Sequence, residues 1–172
     1  GGNGLKINSE AFKGVGLTSV VIGCSVTGIG ESAFADNNLE YIEMQVSGEI
    51  SNNAFKNNPL SRGVVFNNSV CTVSQGAFAN CSIGSIECKG TGTVTLGSQI
   101  FSGSNVDKLS IVGSFKLGSG SIGSMSALNN VTLSRVASID KDAFSKSSNI
   151  ESFVVIDGGG YSSDSGVILD GG

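Results

Sequence analysis

Few of the 172 residues are of types that do chemistry. The chain has no His and no Trp, which removes Ser-His-Asp and Cys-His pairings and every His-based metal site. Two carboxylates, Glu43 and Glu87, could serve glycoside hydrolysis as an acid and base pair. They fall two repeats apart, about 10 Å by strand spacing, with no cleft implied around them. A carbohydrate-active enzyme is therefore only the remote alternative, and no catalytic residue is assigned. Cys24, Cys71, Cys81 and Cys88 show no CxxC pair, so zinc-ligand spacing is absent. They read as free, partly buried thiols. Cys24 and Cys71 fall in turns two repeats apart, beyond the reach of a bridge at about 4.8 Å per repeat. Gly118-Ser119-Gly120-Ser121-Ile122-Gly123 satisfies GxGxxG, but no strand and long helix flank it, and it reads as a turn-rich insertion. The pairs Asp140 with Asp142 and Asp157 with Asp164 lack calcium-loop spacing and read as solvated turn residues. Asn67-Asn68-Ser69, Asn80-Cys81-Ser82 and Asn130-Val131-Thr132 have the form of glycosylation acceptors, which matters only in a eukaryotic source. No cofactor or metal is expected.

The elements that must position any site come from a repeat. Phe recurs at 12, 34, 55, 78 and 101 and returns at 144, a period that signals a solenoid. An aliphatic residue stands five before each (Ile7, Ile29, Ile50, Val73, Leu96, Ile139) and five after most (Leu17, Leu39, Leu60, Ile83, Val106), with Ile150 six after the last. Then comes an alternating pair: Val20 and Ile22, Ile42 and Met44, Val64 and Phe66, Ile86 and Cys88, Leu109 and Ile111, Val131 and Leu133, Phe153 and Val155. Period two over short runs means a strand with one residue in and one out. One coil lacks a Phe. There Met125, followed by Leu128, Val131 and Leu133, reads as the anchor substitute in a shifted frame. The spacing Leu17-x-x-Val20-x-Ile22 is the LxxLxL core of a leucine-rich repeat. The fold class expected is thus a leucine-rich-repeat-like, right-handed solenoid of about seven coils of about 19 to 24 residues, with one parallel β-sheet and short helical or 3₁₀ turns. Cap-type residues before Ala-Phe, as in Ser9-Glu10-Ala11-Phe12, suggest the helical turn. Ser25, Ser47, Ser69, Thr91 and Ser114 occupy the slot where the usual repeat has its turn-bonding Asn. The solenoid is assigned to 1–156 and a Gly/Ser/Asp-rich connector, or the start of a further repeat, to 157–172.

Composition narrows the function classes. Charged residues are 14%, well under the roughly 25% of ordinary domains, and 26 Gly accompany many Ser, Thr and Asn. Hydrophobic content of 39%, spread along the chain, supplies a core and argues against disorder. Ten Lys plus Arg against fourteen Asp plus Glu give a net charge of −4 with no basic run, so no nucleic-acid partner is expected. No stretch approaches the roughly 18 to 20 apolar residues of a membrane span, so no membrane insertion is expected. Gly1-Gly2-Asn3-Gly4 lacks Met and a signal peptide, and the chain reads as part of a longer one.

The pattern IxxxAFxxxxLxxIxI, as in Ile29-Gly30-Glu31-Ser32-Ala33-Phe34 through Leu39, Ile42 and Met44, resembles the BspA-like leucine-rich repeat family. The likeness covers nearly the whole chain. Residues 161–170, beginning Tyr161-Ser162-Ser163-Asp164, are similar to the connector that follows such repeats, with Ser165 interrupting the pattern. The resemblance implies a secreted or surface-attached bacterial or protist protein concerned with adhesion or host interaction. It carries over no site residues.

Function is accordingly expected to be recognition or adhesion of a protein or glycan at the strand face. Alternation places Val21, Glu43, Val65, Glu87, Ser110, Thr132 and Val154 outward, flanked by Tyr41, Gln45, Asn67, Lys89, Lys108 and Asn130. The candidate binding face is Tyr41, Glu43, Gln45, Val65, Asn67, Glu87, Lys89, Lys108, Ser110, Asn130 and Thr132. The alternative is a passive spacer within a larger surface protein, since Tyr41 is the only aromatic on that face and hot spots favour aromatics and Arg.

Overall fold

Every coil meets the same constraint: its backbone N–H and C=O groups must find partners, and its few apolar side chains cannot close a core alone. The computed structural model, which describes residues 4–156 with the side chains of 24 and 25 excepted, satisfies both by stacking. Its strands are β1 (Leu5–Ile7), β2 (Ser19–Ile29), β3 (Tyr41–Ile50), β4 (Val64–Asn67), β5 (Val70–Val73), β6 (Ser85–Lys89), β7 (Val94–Leu96), β8 (Lys108–Val112), β9 (Phe115–Leu117), β10 (Asn130–Ser134), β11 (Ser138–Ile139) and β12 (Ser152–Ile156). All pairings are parallel within one sheet. The proposed connector at 157–172 lies outside the described residues, as do Asp157 and Asp164.

The sheet has two arms, which the LxxLxL pattern did not foretell. One arm carries the expected strands, through β3, β4, β6, β8, β10 and β12; the other runs through β3, β5, β7, β9 and β11. The long β2 and β3 belong to both. The second arm uses the aliphatic residues five before each anchor: Ile50 pairs with Val73, Val73 with Leu96, and Leu96 with Leu117. Cys71 therefore lies in a strand, β5, and not in a turn.

On the remaining side of each coil, no helix forms among the described residues. The expected helical turn is a pair of tight turns: Ala33 N–H donates to Gly30 O at 3.2 Å and Ala35 N–H to Ser32 O at 3.1 Å. The intervening N–H groups leave the coil. Phe34 donates to Ala54 O, Phe55 to Ala77 O and Phe78 to Ile100 O, at 2.8, 2.8 and 3.0 Å. Left-handed residues two before and two after nearly every anchor enforce the alternation, for example Ser32 and Asp36 (φ 54 and 59) and Asn53 and Asn57 (φ 57 and 58). A residue in that conformation cannot continue a right-handed helix.

This geometry corrects the reading of the coil without a Phe. Ile122, not Met125, is its anchor. Gly120 and Ser124 carry the flanking φ values of 66 and 63, and Ile122 N–H donates to Ala143 O at 2.8 Å, as Phe12, Phe34, Phe55 and Phe78 donate to the residue before the next anchor. Anchors at 101, 122 and 144 keep the period unbroken, so Gly118–Gly123 is no insertion.

The anchor rings stack into a column. Phe12, Phe34, Phe55 and Phe78 lie 5.2, 5.2 and 5.4 Å apart with nearly parallel planes, and Phe101 follows at 6.1 Å. The strand spacing of roughly 4.8 Å sets this separation, since one ring is carried per coil. Beside the column runs a largely polar ladder three positions after the anchors from Phe34 onward. Buried Asn58 donates from Nδ2 to Phe34 O and Phe55 O (3.0 and 2.8 Å) and accepts from Leu39 N–H at 3.1 Å. Asn37, Ser104 and Ser147 do the same between their own coils, with the Cys81 thiol taking one rung. Met125 fills the rung of the Ile122 coil. Of the hydroxyls expected in this role after the strand, Ser69 performs it, bonding Met44 O and Val46 N–H, whereas Ser47 and Thr91 are exposed.

Three variants test this architecture by denaturant unfolding. Phe55 is 0% exposed and Phe12, at the first coil, is 42% exposed. Phe55→Ala should lose about 3 to 5 kcal/mol and Phe12→Ala markedly less; equal losses would contradict the column. Ser121, buried where most coils carry Ala, has a hydroxyl without a partner among the described residues. Ser121→Ala should raise stability by about 1 kcal/mol or more, and a loss would mean that the hydroxyl is bonded.

Candidate functional site

The first arm of the sheet turns alternate residues outward, and Glu43 organises the densest cluster among them. Val21, Glu43, Val65 and Glu87 lie in register across β2, β3, β4 and β6. Tyr41 Oη donates to Glu43 Oε2 at 3.1 Å, and Asn67 Nδ2 donates to Glu43 Oε1. Burial first, then the bond to Glu43, raises the Tyr41 phenol above its ordinary pKa, so it remains a protonated donor. Lys89 Nζ lies 3.6 Å from Glu87 Oε2, an exposed pair with little weight in stability. Val65, between the two glutamates, is only 9% exposed and offers less contact surface than its outward position implied.

Arg62 completes the cluster, and strand alternation could not have found it because it lies in the connector before β4. Its guanidinium carbon stands 5.8 Å from the Tyr41 ring centroid. The neighbouring Gly63, one step before the Ile42 and Val64 pair, has φ +87, and a Cβ there would meet Ser85 Oγ at 2.6 Å. Its conformation and the close approach of Ser85 thus require glycine at 63, while Arg62 lies over the Tyr41 ring.

The outward row does not run straight beyond β6. Pairing steps by two, so Ser85 faces Ser110 and Glu87 faces Val112. Residues 90–93 separate β6 from β7 and 113–114 separate β8 from β9, and β9 stays opposite β7. Lys108 and Ser110 instead align with Asn130 and Thr132 on β10. The expected face is therefore two patches, one around Tyr41, Glu43, Asn67, Glu87 and Lys89, the other of Lys108, Ser110, Asn130 and Thr132. Gln45 sits part-exposed in β3, toward its passage into the second arm.

No group of metal-ligating side chains occurs among the described residues, and no helix there is long and apolar enough to cross a membrane. Cys71, Cys81 and Cys88 are free and buried. Burial pushes the Cys71 and Cys81 thiols up to about 12. In the native state these two should resist a small thiol reagent at pH 8, because the thiolate is the nucleophile, and react on unfolding without prior reduction. A mass two units below the reduced value would show a disulfide instead. Because the unfolded thiols titrate near 9 and the folded ones higher, stability should also fall as pH rises above 9.

No curated protein and no solved structure matches the chain. A sequence model of the BspA type leucine rich repeat region does match, in six copies covering residues 3–48 and 48–160. With its parallel, stacked coils and the recurring anchor, the chain belongs to the BspA-type leucine-rich repeat family.

Proposed function

We propose that this solenoid is a recognition module, displayed on a cell surface or secreted, that binds a protein partner through its strand face. Members of the family are typically surface or secreted proteins, often concerned with binding or adhesion, and such repeats generally mediate protein binding. The observation that carries the reading is the Tyr41 cluster: an aromatic ring held by Glu43 on one side and covered by Arg62 on the other. Tyr and Arg dominate binding hot spots, and side chains already fixed in place lose little entropy on association. Glu43, Glu87, Lys89 and Arg62 add alternating charge that would select a complementary partner. Gln45, Val65 and Asn67 extend the contact, and Lys108, Ser110, Asn130 and Thr132 form a second area on the same face.

A panel of extracellular-matrix proteins, titrated against the isolated module, tests this. For a partner so found, Tyr41→Ala combined with Lys89→Glu should weaken binding by well over tenfold, while Lys141→Ala with Lys146→Ala changes little. Equal loss in both variants would refute the strand face as the site. If no matrix protein binds, the passive spacer becomes the better account.

A further inference from the structure

A second concave surface lies away from the strand face, on the anchor turns of the Phe55, Phe78 and Phe101 coils. It is a groove of about 360 Å³, within the size range of small-ligand sites. Its floor is Gly76 and Ala79. Gly76 has φ +65, and a Cβ there would come within 2.9 Å of Asn53 Oδ1, so the floor stays low. Side-chain amides form both rims. On one, Gln75 Nε2 donates to Gln99 Oε1 at 3.1 Å. On the other, Asn80 Nδ2 donates to Asn57 Oδ1 at 2.9 Å, and Asn57 Nδ2 donates to Asp36 Oδ1 at 2.6 Å.

We infer that this groove binds an oligosaccharide lying along the solenoid axis. An amide offers both donors and acceptors, which matches a hydroxyl that does both. Linking the rim amides to one another fixes their orientation, and among the described residues it leaves Gln75 Oε1 and Gln99 Nε2 for a ligand. The rims repeat with the coils, at roughly 4.8 Å, so they present a recurring set of bonding groups to a chain of linked sugars. An apolar ligand does not fit a lining that is largely amide and hydroxyl. Lys56 is the only charged residue in the lining, too little for a polyanion. The site is separate from the strand face, and neither depends on the other.

The test is a nitrogen–proton NMR titration of the module with cellotetraose and, separately, chitotetraose. At least one should shift the side-chain amide signals of Gln75, Asn80 and Gln99 in a saturable way. Gln75→Ala with Gln99→Ala should weaken that binding about tenfold or more through lost hydrogen bonds. Gln75 is exposed and Gln99 part-exposed, so the spectrum should otherwise show the native fold. Ala79→Leu, which raises the floor, should weaken binding independently, and the remote Lys141→Ala should not. The inference is overturned if neither sugar gives saturable shifts, if the shifts map to the strand face, or if the groove variants bind as tightly as the parent.

Discussion

The structure depends on hydrogen bonding from coil to coil around the whole circumference. A sheet on one side with loops on the other would leave the loop N–H and C=O groups to find partners separately. Here the anchor turns are bonded between coils as regularly as the strands, with Phe34, Phe55 and Phe78 donating to the next coil. This fixes the pitch on both sides, and the pitch fixes the Phe stacking at 5.2 to 5.4 Å along the first four rings. Burial then follows from neighbours. Phe55 is fully buried between two coils, and Phe12 is not.

The same constraint accounts for the composition. Two left-handed positions flank nearly every anchor, and they are filled by Gly76 with Asn80, Gln99 with Gly103, and Gly120 with Ser124 among others. Glycine adopts this conformation freely, and Asn accepts it better than most residues. Requirements repeated in each coil raise Gly, Asn and Ser at the expense of charge, which explains the 14% charged fraction. They also line the outside of the turns with short amides, from which the groove of the Phe78 coil is built.

Residues with strong periodicity were legible in the sequence. The Phe anchors follow from their recurrence, and the LxxLxL strands with the outward positions from Val21 to Glu87 from side-chain alternation. Features carried by changing residue types were not. The ladder uses Asn37, Asn58, Cys81, Ser104 and Ser147 in one structural role, and no single residue type marks it. Strands as short as Val94–Leu96 contain too little alternation to recognise. Ile122 breaks the aromatic recurrence, and only the left-handed Gly120 and Ser124 at fixed offsets mark it as an anchor. Arg62 and the groove amides lie in connectors and turns, where alternation says nothing about direction. The register step between β6 and β8 was equally invisible, because a shift of two residues leaves the same side chains facing outward.

Both proposed surfaces are consequences of rigidity. The strand patch keeps Tyr41 under Arg62, and the groove keeps its amides aligned, because the turns are held as firmly as the strands. Native-state amide hydrogen exchange measures that claim directly. The N–H groups of Phe34, Phe55 and Phe78 should be protected to the same extent as those of Val65 and Glu87 in the central strands, exchanging only as whole coils open. Rapid, loop-like exchange at the three Phe amides, with the strand amides still protected, would contradict the account.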